Sequence, residues 1–171
     1  MAEARVRDIM RTDVPIVKVT DTVGTVARLM AASGLPGIPV IGDGEIMGII
    51  TEKDLIARYA HVEVPTPMPF LDAIFLLDGG RDFEEDLRRV LAVTAGELMN
   101  SPVYNIRDSA TITELATLMI DEDVNPVPVV DDSLRLVGIV SRTELVRVIA
   151  KLETGGPNEA GTPSTEPRAS A

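Results

Sequence analysis

Gly48-Ile49-Ile50-Thr51-Glu52-Lys53-Asp54 reads as the end of a buried strand that turns directly into a helix. Gly138-Ile139-Val140-Ser141-Arg142-Thr143-Glu144 echoes it far downstream. Each copy sets a hydroxyl at the turn and a carboxylate three residues later. Working outward from these two stretches, the same order of landmarks recurs. Arg7-Asp8-Ile9-Met10 lies over Gly96-Glu97-Leu98-Met99, and Thr22-Val23 over Thr111-Ile112. Ala27-Arg28-Leu29-Met30 lies over Ala116-Thr117-Leu118-Met119, and Ile38-Pro39-Val40-Ile41 over Val127-Pro128-Val129-Val130. One inserted residue near Asp131-Asp132-Ser133 then brings Gly48 onto Gly138. A repeat held in one register over so many landmarks identifies a duplicated structural unit.

Each copy predicts strand, helix, strand, strand, helix. A short helix ending at Met10 leads into an extended stretch, Val14 to Val19, with partial alternation. An amphipathic helix from Thr22 to Ser33 follows, with Val23, Val26, Ala27 and Met30 on one face and Gly34 placed to end it. Ile38 to Ile41 is a short buried strand, Gly42-Asp43-Gly44 a hairpin turn and Ile46 to Ile50 the returning strand. A helix then runs through about Arg58. In the second copy the first helix spans Thr111 to Asp121. A unit of roughly 55 residues with three strands cannot bury both faces of its sheet. The expectation is therefore an α/β (α+β) fold of two repeats related by a pseudo-two-fold axis, packed face to face through small sheets.

The resulting division is a first repeat over 1–60, a linker over 61–95, a second repeat over 96–152 and a disordered tail over 153–171 rich in Gly, Pro, Ser, Thr and Glu. In the linker, the prolines of Val64 to Pro69 forbid helix and favour extended chain. Phe70 to Leu77 is strongly apolar and either packs on the pair or contacts another subunit. Asp82 to Leu91 reads as an acidic-to-basic helix.

Bulk composition narrows the function. Of 171 residues 45% are hydrophobic but only 3% aromatic, so the core is aliphatic. No cysteine is present, which excludes disulfides and thiol chemistry and fits a cytoplasmic setting. A net charge of −11 argues against nucleic-acid and anionic-membrane partners. With one histidine, His61, and no nucleophile beside a base, neither a catalytic residue nor a metal site is expected. The paired turns remain. As helix caps, Ser141 and Glu144 fit a capping box well; Thr51 and Asp54 fit it less well, because Asp is shorter than the usual Glu or Gln. An Asp54 freed from capping, at the positive end of a helix, stays ionised and offers two acceptors to a pair such as a ribose diol.

These paired motifs, with Pro-Val strand starts at Pro39 and Pro128, resemble a tandem pair of cystathionine-β-synthase (CBS) domains, the Bateman module. The resemblance covers about two thirds of the chain. It implies an adenosine ligand between the copies (AMP, ADP, ATP or S-adenosylmethionine), pairing of modules into a homodimer, and regulation of an effector protein rather than catalysis, with no cofactor required. Carried onto this chain, it implies that Asp54 holds the ribose and Thr51 the ribose or phosphate. Leu35, Pro36, Ile38 and Pro39, with Val124, Asn125, Val127 and Pro128, would line the adenine. Thr22 and Thr111 would face the phosphates, and Ser141 and Glu144 would repeat the ribose roles with a carboxylate one methylene further out. Lys53 and Arg142 are the cations inside the motifs. Against a −11 background AMP is favoured over ATP. The alternative is a ligand-free interaction and dimerisation module in which both turns only cap helices.

Overall fold

A computed structural model describes residues 4–59, 67–70, 73–76 and 88–154, the two central segments as backbone. After a 3-10 turn at Val6–Asp8, the first copy comprises β1 (Val17–Lys18), α1 (Val23–Ser33), β2 (Gly37–Gly42), β3 (Glu45–Thr51) and α2 (Glu52–Ala57). A hairpin, β4 (Pro67–Phe70) and β5 (Ala73–Leu76), lies between the copies. The second comprises α3 (Ala95–Leu98), β6 (Ile106–Arg107), α4 (Ile112–Asp121), β7 (Val127–Val130), β8 (Leu136–Val140) and α5 (Arg142–Thr154). The two copies form three-stranded sheets of the same order, β1-β2-β3 and β6-β7-β8, with the first pair parallel and the second antiparallel. Even the irregularity repeats, between Val40 and Ile41 and between Val129 and Val130.

Local chemistry explains most of these boundaries. Thr22 caps α1 by accepting the Thr25 amide at 3.2 Å, and Gly34 ends the helix in the left-handed conformation at φ 64°. The buried stripe of α1 is Val23, Val26 and Met30, flanked by Leu29. Ala27, expected on that stripe, lies at its edge and is exposed. The strand expected over Val14 to Val19 is ladder-paired over Val17–Lys18. Asp43 and Gly44, both at positive φ, turn the first hairpin tightly. The second turn is longer by the inserted residue: Asp131 accepts the Ser133 and Arg135 amides, and Leu134 takes positive φ. Of the proline stretch read as extended over Val64 to Pro69, residues 67–69 lie in β4 and 64–66 lie outside the described residues. Of the linker helix expected over Asp82 to Leu91, residues 88–91 are helical and 82–87 lie outside the described residues; of the tail expected over 153–171, Glu153 and Thr154 instead continue α5, and the remainder lies outside the described residues.

The copies are joined by exchanging their leading segments. Arg5 bridges Thr111 and Arg11 bridges Ile139, while Thr94 bridges Thr22 and Asn100 bridges Ile49. Val6 is buried in the second core with Leu115, Met119 and Val140; Ala92, Ala95 and Leu98 are buried in the first with Val26 and Ile50. Each core is thus completed by the other copy's leader. Both motif glycines serve this crossing. A Cβ on Gly48 would lie 2.5–2.8 Å from Met99 side-chain atoms, and one on Gly138 would lie 2.5 Å from Met10 Sδ and 3.0 Å from the Arg11 carbonyl. Gly37 likewise leaves room for Pro126, the residue that matches it in the second copy.

Candidate functional site

The turn from β3 into α2 is held at three points. The Glu52 amide donates to the Pro36 carbonyl at 2.9 Å, the Asn100 amide to the Ile49 carbonyl at 2.9 Å, and the Thr51 amide to Asp54 Oδ2 at 2.8 Å. The last bond corrects one expectation. Asp54 is not freed from capping: at this tight turn the shorter side chain reaches the cap amide. Its Oδ2 also accepts the Thr51 hydroxyl at 2.7 Å and Asn100 Nδ2 at 2.8 Å, while Arg89 Nε lies 3.4 Å from Oδ1. Asp54 is only 2% exposed, and a carboxyl group so buried needs hydrogen-bond partners of this number and kind. Arg89 arrives on helical residues 88–91, which are fastened to α2 by Arg58 donating to the carbonyls of Arg89 and Ala92.

Asp54 forms part of the wall of a cavity of about 440 Å³ between the copies. That volume falls within the range of small-molecule sites. The first copy contributes Pro36, Ile49, Thr51, Glu52, Lys53 and Asp54. Arg89, Asn100, Pro102, Val103 and Tyr104 form a second side. Asp123, Val124, Asn125, Pro126 and Arg142 form the third. Apolar and aromatic groups (Ile49, Pro102, Val103, Tyr104, Val124, Pro126) share the cavity with three carboxylates and three cations. Tyr104 is held above its usual titration range by its hydrogen bond to Glu122, by that residue's charge and by burial, so it stays a neutral donor. Asp123 is held below the usual carboxylate range, first by the hydrogen bond from Arg142, then by the Arg142 charge, against desolvation and with help from Lys53.

The residues named from sequence separate into groups. Pro36, Thr51, Lys53, Asp54, Val124, Asn125 and Arg142 share the cavity. Leu35, Ile38 and Val127 are buried core residues, and Pro39 and Pro128 are buried in β2 and β7. Thr22 and Thr111 cap α1 and α4, away from the cavity wall. Ser141 and Glu144 close on each other: Glu144 Oε2 accepts the Ser141 amide at 2.9 Å and its hydroxyl as well. In this second turn the Asn125 side chain takes the Arg142 amide at 2.9 Å, the duty of the Pro36 carbonyl in the first. Arg89, Asn100, Tyr104 and Asp123 were not singled out from sequence. Asn100 directly follows a repeat landmark, and Asp123 stands where the first copy has the helix-ending Gly34; both were signals available in the alignment of the copies.

Comparison with known proteins agrees with the duplicated fold. The CBS domain model matches residues 6–61 and 95–151. The chain is 29% identical over 156 residues to uncharacterized protein MJ1426 of Methanocaldococcus jannaschii, covering 84% of this chain and 90% of that protein. In fold it is similar to the Arabidopsis thaliana CBS-pair protein CBSX2, whose crystal structure is in complex with AMP, with a TM-score of 0.64, 22% identity and coverage of 87% and 98%. It is similar also to the CBS domain pair of protein MJ0100 in complex with 5'-methylthioadenosine and S-adenosyl-L-methionine, with a TM-score of 0.63, 19% identity and coverage of 88% and 99%. The two repeats, their matching sheets and these matches agree: the chain belongs to the CBS-domain family, as a tandem CBS pair.

Proposed function

We propose that this CBS pair is a regulatory sensor that binds an adenosine ligand in the cavity between its copies, with AMP foremost among AMP, ADP, ATP and S-adenosylmethionine. The observation that carries this reading is a buried carboxyl group, Asp54, on the wall of a ligand-sized cavity. Its Oδ2 already accepts three donors, so the ribose hydroxyls approach Oδ1 beside Arg89. Pro36, Val124 and Tyr104 offer surface for the adenine, and Lys53 and Arg142 are the motif cations for a phosphate. The adenosine ligands of CBSX2 and MJ0100 support the same class. Binding would alter the way the copies close on each other, with the output passing to an effector protein rather than through catalysis. Exposed Ile56 on α2, and Val146, Ile149 and Leu152 on α5, support pairing into a homodimer. No described helix is long and apolar enough to cross a membrane, and with no cysteine in the chain we place the protein in the cytoplasm.

One observation favours a second reading, a ligand-free interaction module. The Thr51–Asp54 pair does cap its helix. A thermal-shift series with AMP, ADP, ATP, S-adenosylmethionine and NAD separates the two. A ligand at a hundred times its dissociation constant adds about 2.7 kcal/mol of stability. The sensor predicts a clear rise in Tm with AMP; a flat response to the whole series leaves the interaction module standing.

A further inference from the structure

The two walls of the cavity end their first helices differently. α1 ends on Gly34 at φ 64°, and the matching residue after α4 is Asp123 at φ 48°. Left-handed backbone suits glycine, and aspartate is among the few other residues that tolerate it. The substitution therefore costs little in backbone and adds a carboxylate to the cavity. That carboxylate is engaged: Asp123 Oδ1 accepts from Arg142 Nη2 at 2.7 Å. Arg142 Nη2 also donates to the Met119 carbonyl at 3.3 Å, which fixes the guanidinium over the end of α4.

The other cations of the cavity face carboxylates too. Arg89 lies against Asp54, and Lys53 follows Glu52 in the chain and acts electrostatically on Asp123. Three positive and three negative groups line one space. A ligand's phosphates drawn to Lys53 and Arg142 therefore also meet Asp123. Each added phosphate brings more repulsion from that carboxylate, and the remaining cation of the described wall, Arg89, lies against Asp54. The chain as a whole carries a net charge of −11, which gives added phosphates no general attraction.

We propose that Asp123 limits the negative charge the cavity accepts, selecting adenosine ligands with one phosphate or none over the di- and triphosphates. This rests on the adenosine-ligand reading above. The test is calorimetric titration of AMP and magnesium-free ATP into the full chain and into two variants. Asp123→Gly installs the residue the first copy uses and releases Arg142. Asp123→Asn keeps the size and the helix end while removing the charge. Both variants are expected to raise ATP affinity about tenfold and AMP affinity about threefold or less, a difference that shrinks as salt rises from about 0.05 to 0.5 M. If AMP binds but the ATP-to-AMP ratio is unmoved in both variants, the selection by Asp123 is overturned while the site reading survives. If neither nucleotide binds any of the three proteins, both fall together.

Discussion

At the first turn the Asp54 carboxylate is met from across the molecule, by Asn100 Nδ2 at 2.8 Å and Arg89 Nε at 3.4 Å. At the second, Glu144 takes the amide and hydroxyl of Ser141 and lies 3.7 Å from Arg147 on its own helix. The cap bond is common to both, so capping does not distinguish them. The residue that crosses over does. Asn100 leads the second copy and reaches the first carboxylate; its counterpart Arg11 leads the first copy and donates to the Ser33 carbonyl at 3.2 Å instead. One copy's acid is built into a shared cavity wall, and the other's closes its own turn.

The sharpest way to break that contrast is to delete each acid. Asp54→Ala removes the acceptor of Asn100 Nδ2 and of the Thr51 amide at a part-buried turn, and should cost about 3 kcal/mol as well as abolishing nucleotide binding. Glu144→Ala removes a cap from a helix start and should cost about 1 kcal/mol, leaving binding intact. Urea unfolding and calorimetric titration of the two variants measure both effects. Equal stability losses with equal loss of binding would erase the distinction between the turns.

The motif glycines sharpen it next. Gly48→Ala and Gly138→Ala each push a Cβ into the crossing leader, at a cost of about 2 kcal/mol from overpacking. Their consequences for binding should part. Gly48→Ala displaces Met99 and with it the adjacent Asn100, so AMP affinity falls beyond what the lost stability explains. Gly138→Ala displaces Met10 and Arg11, which touch no cavity wall, and affinity holds. Equal affinities in the two variants would show that Asn100 does not organise the site.

These contrasts also explain how much was legible in the chain. The repeat is written in spacing, and spacing carries over into strand order, helix caps and the position of Thr51 and Asp54, because all are local. Val17 pairs with Val40 as Ile106 pairs with Val129, as a duplicated pattern requires. The exchange of leaders is a long-range event with no periodicity of its own, so Asn100 and Arg89 could not be found from the motif they complete. Leu35 and Ile38 enter the expected site by resemblance, partly through their backbone groups, and their apolar side chains are buried in the core. Asp54 was misjudged on length alone, because the distance from carboxylate to cap amide depends on how tightly the turn closes.

The smallest expected effect comes from the first helices, where the copies differ again. Thr111 accepts the Glu114 amide at 3.1 Å, and Glu114 returns the bond by accepting the Thr111 amide at 2.7 Å; Thr22 has Thr25 in that place and lacks the returning carboxylate. The Thr111 amide, then its hydroxyl, and more weakly the Arg5 charge hold the Glu114 carboxyl below its ordinary value of 4.5, against some desolvation. A carboxyl lowered on folding stabilises the protein above its unfolded pKa, and that contribution fades as pH falls through the folded value. Glu114→Gln should therefore flatten part of the decline in Tm between roughly pH 5 and 3 while leaving the second core packed. Thr25→Glu should do the converse, giving α1 a reciprocal cap that stabilises at neutral pH and is lost in acid. Tm measured against pH for both variants decides the matter: if Thr25→Glu brings no acid-sensitive gain, the difference between the two helix starts is one of sequence without energetic consequence.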